Sequence, residues 1–159
     1  EAVARVPGIG LGTDVMVGFP GESEAAFERS CDMVRALPLV NVHVFSFSAR
    51  PRTSAFAMDG QVPPREIWHR RERLHRVALV RKNEVYASQT GREMDVLFER
   101  RLHSGTNSGF SDSYIRVRVQ SPDDLANRLV RVVVRGVESS REGVIATGEV
   151  IAEVAQSIV

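Results

Sequence analysis

The spacing of apolar positions changes near residue 90, from runs and helical periods before it to alternation after it. Glycines at 8, 10 and 12 read as a helix or loop ending before a strand. Thr13 to Val17 (TDVMV) is then a short apolar run holding one acid. It ends in Gly18-Phe-Pro-Gly-Glu22, a turn punctuated by Gly and Pro. Ser23 is placed to cap a helix on which Phe27, Cys31, Val34 and Leu37 recur at helical spacing until Pro38 stops the pattern. Val40 to Phe47 (VNVHVFSF) reads as a second strand, and strand–helix–strand with this connection predicts parallel neighbours in a βαβ unit.

Residues 48–64 form a long loop rich in Pro, Ser and Gly, of a length that is usually functional or a linker. A long helix is expected from Arg65 to Ser88, with Ile67, Leu74, Val77, Ala78 and Val85 as its apolar stripe. Arg70, Arg71, Arg73, Arg76, Arg81 and Lys82 surround that stripe; a solvated face is the simpler reading, an RNA-backbone contact the sharper one. From Gly91 the period becomes two. Met94–Phe98, Tyr114–Val119, Leu129–Val134 and Val144–Val154 are candidate strands, separated by turn-rich segments that include 104–109 and 121–124. The fold class expected is therefore α/β plus all-β: 1–62 an α/β piece, 63–90 a linker helix, and 91–159 a small β-barrel or sandwich.

Composition narrows the picture only slightly. Hydrophobic content of 43% and mean hydropathy of −0.14 are ordinary for a globular chain, and no run approaches the ~20 apolar residues needed to cross a bilayer. Net charge is only +1, so bulk charge announces no nucleic-acid partner. Apart from Lys82 every Lys/Arg position is Arg, which reflects either a GC-rich genome or a use for bidentate, stacking cations. Cys31 is the only cysteine, which excludes a disulfide framework and makes a cytoplasmic location the expectation. The chain starts at Glu1 and enters structured-looking sequence within about ten residues, as expected of a piece cut from something longer.

Several residues invite chemistry. Asp14, inside an apolar strand, is expected to be buried with a partner, as a structural ion pair or as a ligand contact. The Gly18–Glu22 turn exposes backbone at the carboxyl end of a parallel strand, where α/β barrels carry their active sites; it lacks the Gly-Lys-Ser/Thr ending of a P-loop. Arg50, after the second strand, is placed either to meet a carboxylate or phosphate or to pair with Asp14 or Glu22. His43 and Cys31 read as core residues. In the β-rich part Arg116 and Arg118 share a strand face, Arg131 lies on another strand between Arg128 and Arg135, and Arg100, Arg101, Phe110 and Tyr114 are near in sequence. Such a basic, aromatic surface suits sequence-tolerant RNA binding.

In order, these segments resemble the radical S-adenosylmethionine methylthiotransferase family. Gly12-Thr-Asp-Val-Met-Val-Gly-Phe-Pro-Gly-Glu22 is similar to its late barrel-strand motif, and His43-Val-Phe-Ser-Phe-Ser-Ala-Arg-Pro-Arg-Thr53 to its HVF-x-YS-x-RPGT segment. Gln61-Val-Pro63, Tyr86-Ala-Ser-Gln89 and Gly109-Phe-Ser-Asp-Ser-Tyr-Ile115 resemble the family's subsequent segments, through the linker to the GYTDNYI signature of an appended TRAM domain. Arg52 departs from the pattern, which has Gly there, and the sequence beyond Gly136 matches poorly. The resemblance implies the last βα units of a partial TIM-type barrel, a linker helix and an OB-like TRAM barrel. It implies a parent enzyme whose 4Fe–4S cluster cleaves S-adenosylmethionine and which adds a methylthio group to C2 of N6-threonylcarbamoyladenosine-37 of tRNA, the cluster cysteines lying in the N-terminal remainder of the polypeptide. Asp14, Met16, Gly18, Pro20, Glu22 and Arg50 would line the cofactor pocket. Arg100, Arg101, Tyr114, Arg116, Arg118 and Arg131 would hold the tRNA anticodon arm. The alternatives are an isopentenyladenosine-37 or ribosomal-protein substrate, or an RNA-binding fragment without catalysis.

Overall fold

The computed structural model describes residues 2–6, 8–140 and 143–154, and these divide into two compact units, Gly12–Arg81 and the residues before and after it. A single-turn helix α1 (Ala2–Arg5) precedes strand β1 (Leu11–Val17), helix α2 (Glu24–Ala36) and strand β2 (Leu39–Ser46). Ser23 caps α2 as its position predicts, its hydroxyl accepting the Ala26 N–H. β1 and β2 form a two-stranded sheet. Gly12 lies against Asn41 while the Val17 carbonyl accepts the Phe47 N–H at 2.8 Å, so the register advances together and the strands are parallel. Val15 and Val17, Leu39, Val40 and Val44, Phe27, Cys31 and Val34 of α2, and Leu74 and Ala78 of the long helix α3 (Pro64–Ala87) make the core of this unit.

The cations of α3 depart from a plain solvated face. Arg71 and Arg76 are exposed, but Arg70 is 6% exposed. Arg73 spans Glu24 and Glu28 with its guanidinium 4.9 Å above the Phe27 ring, and Arg81 donates to the Leu37 carbonyl. These contacts reach residues of α2 and its ends some 44–49 positions away, information that helical periodicity does not carry.

The second unit is a closed barrel in the order β3-β4-β5-β7-β6, built from β3 (Glu93–Arg101), β4 (Thr106–Ser111), β5 (Arg116–Gln120), β6 (Leu129–Ser140) and β7 (Gly143–Glu153). All pairs are antiparallel except β5 with β7, an arrangement consistent with a small OB-like barrel. Val96, Phe98, Val117, Val119, Val130, Val132, Val134 and Ile145 fill it, and closure leaves no unpaired edge. The last hairpin extends well past Gly136.

Two expectations are corrected here. Residues 104–109 are not one long turn: after a short helical turn at His103–Gly105, β4 begins at Thr106. Its inward positions are Asn107, Gly109 and Ser111, none apolar, so alternation of hydrophobicity is invisible. Each is fixed by geometry instead. Asn107 is fully buried, donating to the Asp123 carbonyl at 3.1 Å and accepting the Leu125 N–H at 3.0 Å; a Cβ at Gly109 would strike the Leu97–Phe98 backbone; the Ser111 hydroxyl accepts the Ile115 N–H. Tyr114 also lies outside β5. It is left-handed (φ +57°) and ends the turn closed by its own N–H on the Ser111 carbonyl. Asn107→Ala is expected to cost the barrel about 1–3 kcal/mol, because the Leu125 N–H and Asp123 carbonyl lose buried partners; urea denaturation followed by far-UV circular dichroism measures it.

Candidate functional site

At the carboxyl end of β1 the chain must turn sharply, and Gly18 does so at φ +82° in a spot where a Cβ would meet the Ile67 side chain. The turn is held from several sides. The Gly18 N–H donates to Glu22 Oε2 at 2.7 Å, the Glu22 N–H to the Phe19 carbonyl at 2.9 Å, and the Gly21 N–H to the Gly60 carbonyl at 2.8 Å. Arg70 donates from Nη1 to both the Glu22 carbonyl and Oε2, each at 2.8 Å, and from Nε to Glu66 at 3.1 Å. Burial alone pushes the Arg70 guanidinium down; the Glu22 and Glu66 carboxylates outweigh it and hold its pKa above the ordinary arginine value. Phe19 packs edge-on against Phe47, ring centroids 5.3 Å apart.

The six residues assigned to this site by resemblance fall into two groups. Gly18, Pro20 and Glu22 belong to the braced turn: Gly18 and Pro20 are buried, and the Glu22 carboxylate is already bonded to Gly18 and Arg70. Asp14 and Met16 lie on the opposite face of β1 from buried Val15 and Val17 and are exposed. Asp14 is thus not the buried carboxylate expected, and among the described residues neither its side chain nor that of Arg50 has an ion-pair or hydrogen-bond partner. Arg50 follows β2 in an exposed loop whose backbone it closes, its carbonyl accepting the Thr53 N–H and hydroxyl. Glu22 pairs with Arg70, and among the described residues no ion pair joins it to Arg50.

The exposed positions of β2 include Asn41, His43 and Phe45, which the sequence did not single out as site residues. His43 is therefore not the core residue expected. The Asn41 amide nitrogen lies 2.8 Å from His43 Nε2, within hydrogen-bond distance. The alternation of VNVHVF, with Val40, Val42 and Val44 inward, is the signal that places them together. Burial pushes the Cys31 thiol up, and no cluster of His, Cys, Asp or Glu suited to a metal exists among the described residues. The donor set here does not fit an iron–sulfur cluster.

The barrel carries a second candidate surface, and its arginines divide. Arg131 and Asp95 face each other in the β3–β6 register and form a two-point ion pair at 2.8 and 3.1 Å, which holds the Asp95 carboxyl below its usual range. Arg128 pairs with Glu153 and Arg135 with Glu149. The face around β6 therefore neutralises itself. Across β3, β4 and β5 the register makes two outward rows, Leu97–Phe110–Arg116 and Arg100–Ser108–Arg118. The Arg116 guanidinium sits 4.7 Å from the Phe110 ring centroid. Arg101 donates to the Pro122 carbonyl at 2.8 Å. Tyr114 presents a ring that is 74% exposed from a left-handed backbone, a conformation costing a bulky residue about 1–2 kcal/mol.

No protein-family model matches the chain. Curated relatives do. The chain is 34% identical over 149 residues to the threonylcarbamoyladenosine tRNA methylthiotransferase MtaB of Chlamydia pneumoniae, covering 93% of this chain and 34% of that protein. It is 33% identical over 147 residues to the tRNA-2-methylthio-N(6)-dimethylallyladenosine synthase of Streptomyces viridosporus, covering 92% of this chain and 27% of the relative. It is 40% identical over 100 residues to the ribosomal protein uS12 methylthiotransferase RimO of Koribacter versatilis, covering 62% and 20%. The chain thus spans about a third or less of the length of the relatives it matches.

The braced turn generates two expected outcomes. Arg70→Met is expected to destabilise the protein by about 3 kcal/mol, because it strands the Glu22 carboxylate in a buried place, whereas Arg71→Met changes stability by under about 0.5 kcal/mol; thermal unfolding of both variants gives the comparison. Arg52, where the family pattern has Gly, holds that residue's conformation at φ +70°. Arg52→Gly is expected to raise stability by about 0.5–1 kcal/mol, read in the same assay.

Proposed function

Because the chain belongs to the methylthiotransferase family, we propose that it is the C-terminal part of a radical S-adenosylmethionine tRNA methylthiotransferase acting on C2 of N6-threonylcarbamoyladenosine-37. In this reading Gly12–Arg81 contributes the last βα units of the catalytic barrel, and the closed barrel is a TRAM domain that holds the tRNA anticodon arm. The observation that carries the tRNA assignment is the match to an MtaB protein over 93% of the chain, together with the HVF and Arg-Pro segment at 43–53.

The cofactor, when bound, supplies a radical that abstracts hydrogen; this chain's residues shape and line the site. The turn's Gly18, Gly21 and Glu22 N–H groups are already bonded, so the turn offers surface and shape and no N–H from those three. Met16, 54% exposed, and Phe19 give an apolar wall suited to a nucleoside. Asp14, without a partner among the described residues, is an acceptor suited to ribose hydroxyls. Arg50 is a cation for a carboxylate, and Glu22 acts by holding the turn. The iron–sulfur ligands belong to the N-terminal remainder of the polypeptide, as a Cys-x-x-x-Cys-x-x-Cys run upstream of Glu1.

On the barrel, Phe110 and Tyr114 are stacking surfaces, and Arg100, Arg116 and Arg118 are phosphate cations. Arg131, bonded to Asp95, contributes little. Anisotropy titration of a tRNA anticodon stem–loop is expected to show Arg116→Gln weakening binding several-fold and Arg131→Gln leaving it within about twofold. Nucleoside mass spectrometry of tRNA from a strain lacking the parent gene tests the catalytic half: it is expected to lack 2-methylthio-N6-threonylcarbamoyladenosine. Unchanged tRNA nucleosides with intact RNA binding point to the fragment that binds RNA without catalysis.

A further inference from the structure

The arginines of α3 between Pro64 and Arg81 fall into two sets. Arg70 pairs with Glu22 and Glu66, Arg73 with Glu24 and Glu28, and Arg81 donates to the Leu37 carbonyl. Arg65, Arg71 and Arg76 are exposed, and among the described residues none of their side chains has an ion-pair or hydrogen-bond partner. Of the two acids in this stretch Glu66 is bonded to Arg70, which leaves Glu72 alone against three guanidinium groups. Trp68, the one tryptophan of the chain, is 55% exposed among them, with His69 edge-on at 5.0 Å between ring centroids. Residues three apart are neighbours on a helix surface, so Arg65 stands one turn before the indole and Arg71 one turn after it. A cleft of about 400 Å³ lined by Pro63, Arg65, Glu66 and His69 opens at the start of the helix. Leu79 and Val80 are also exposed, but a rise of about 1.5 Å per residue puts them some ~16 Å beyond Trp68, outside any single apolar patch with it.

We propose that the exposed side of α3 from Arg65 to Arg76 is a second RNA contact, where a base stacks on Trp68 while Arg65, Arg71 and Arg76 meet backbone phosphates. An aromatic face bracketed by unpaired cations matches the alternation of base and phosphate along a nucleic-acid strand. The proposal rests on the RNA-binding reading above and goes beyond it, since that reading places every RNA contact on the barrel and this one belongs to the other unit.

The single tryptophan makes the test direct, because the tryptophan emission of the whole chain reports on Trp68 alone. Titrated with a tRNA anticodon stem–loop, that emission is expected to change saturably over the same RNA concentrations at which anisotropy of the labelled RNA reports binding. Trp68→Leu is expected to weaken binding about tenfold, with Trp68→Phe recovering most of the loss. Arg71→Gln and Arg76→Gln are each expected to lower the log–log salt slope by about one. Emission that stays unmoved while anisotropy reports binding overturns the α3 contact, turns this face over to a protein partner, and leaves RNA binding by the barrel intact. Wild-type affinity in Trp68→Leu with a wild-type salt slope in both arginine variants overturns it in the same way. Absence of any stem–loop binding overturns the α3 contact together with the RNA reading beneath it. Thermal unfolding controls for the fold: all four positions substituted are exposed or flank solvent, and each variant is expected to melt within about 2 °C of wild type.

Discussion

A guanidinium and a carboxylate taken out of water set the shape of the first unit. Arg70 and Glu22 have side chains only 7% and 11% exposed and are 2.8 Å apart. Desolvating such a pair costs several kcal/mol per ion, and that cost is recovered only when every donor and acceptor is satisfied in good geometry. Here Glu22 also accepts the Gly18 N–H, and Arg70 also donates to the Glu22 carbonyl and to Glu66. The pair is therefore less a source of net stability than a device of specificity. It permits one conformation of the Gly18–Glu22 turn and penalises the others. A tight backbone turn at the end of a strand becomes a fixed surface because a helix forty-eight residues later reaches back to it.

The barrel applies the same physics to cations at its surface and reaches the opposite arrangement. Exposed pairs such as Arg131–Asp95 contribute at most about 1 kcal/mol, but they fill the arginine fork and lower its appeal to phosphate. Around β6 that has happened three times, with Arg128, Arg131 and Arg135 each given an acid. On β5 Arg116 lies over the Phe110 ring, 4.7 Å from its centroid, a contact that orients the guanidinium. A net charge of +1 therefore says little about any one face: around β6 three arginines are each matched to an acid, and on β5 Arg116 lies beside an aromatic ring.

The division between legible and hidden features has the same origin. Strand, capped helix and strand were legible in the first unit because Ser23, the Phe27–Cys31–Val34 spacing and Pro38 are local signals. Four of the five barrel strands were visible as alternation, although Tyr114 was placed in a strand that starts two residues later. β4 escaped because its inward side chains are an amide, a hydrogen and a hydroxyl. The roles of Arg70 and Glu22 escaped because an ion pair across forty-eight residues leaves no periodic trace. Asp14 was expected inside from its apolar neighbours, but on this two-stranded parallel sheet its residue parity puts it on the face opposite Val15 and Val17. The pairing of Asp95 with Arg131 depends on register, which composition does not contain.

Two residues in the left-handed region illustrate how strain acquires meaning. Arg52 and Tyr114 both hold a conformation that glycine adopts freely and that costs each of them about 1–2 kcal/mol. At Arg52 the related pattern has Gly, so the conformation belongs to the turn and the side chain is a tolerated departure. At Tyr114 the pattern has Tyr in the same place, within Gly-Phe-Ser-Asp-Ser-Tyr-Ile, so the strain and the side chain come together. A ring 74% exposed gains almost nothing from burial in its own fold to offset that cost. The turn after β4 holds it outward through the Ser111 hydrogen bonds, beside the row that carries Phe110 and Arg116. An exposed aromatic whose backbone is fixed at an energetic cost is preorganised for a partner outside its own fold, and under the RNA-binding reading proposed above that partner is a stacking base.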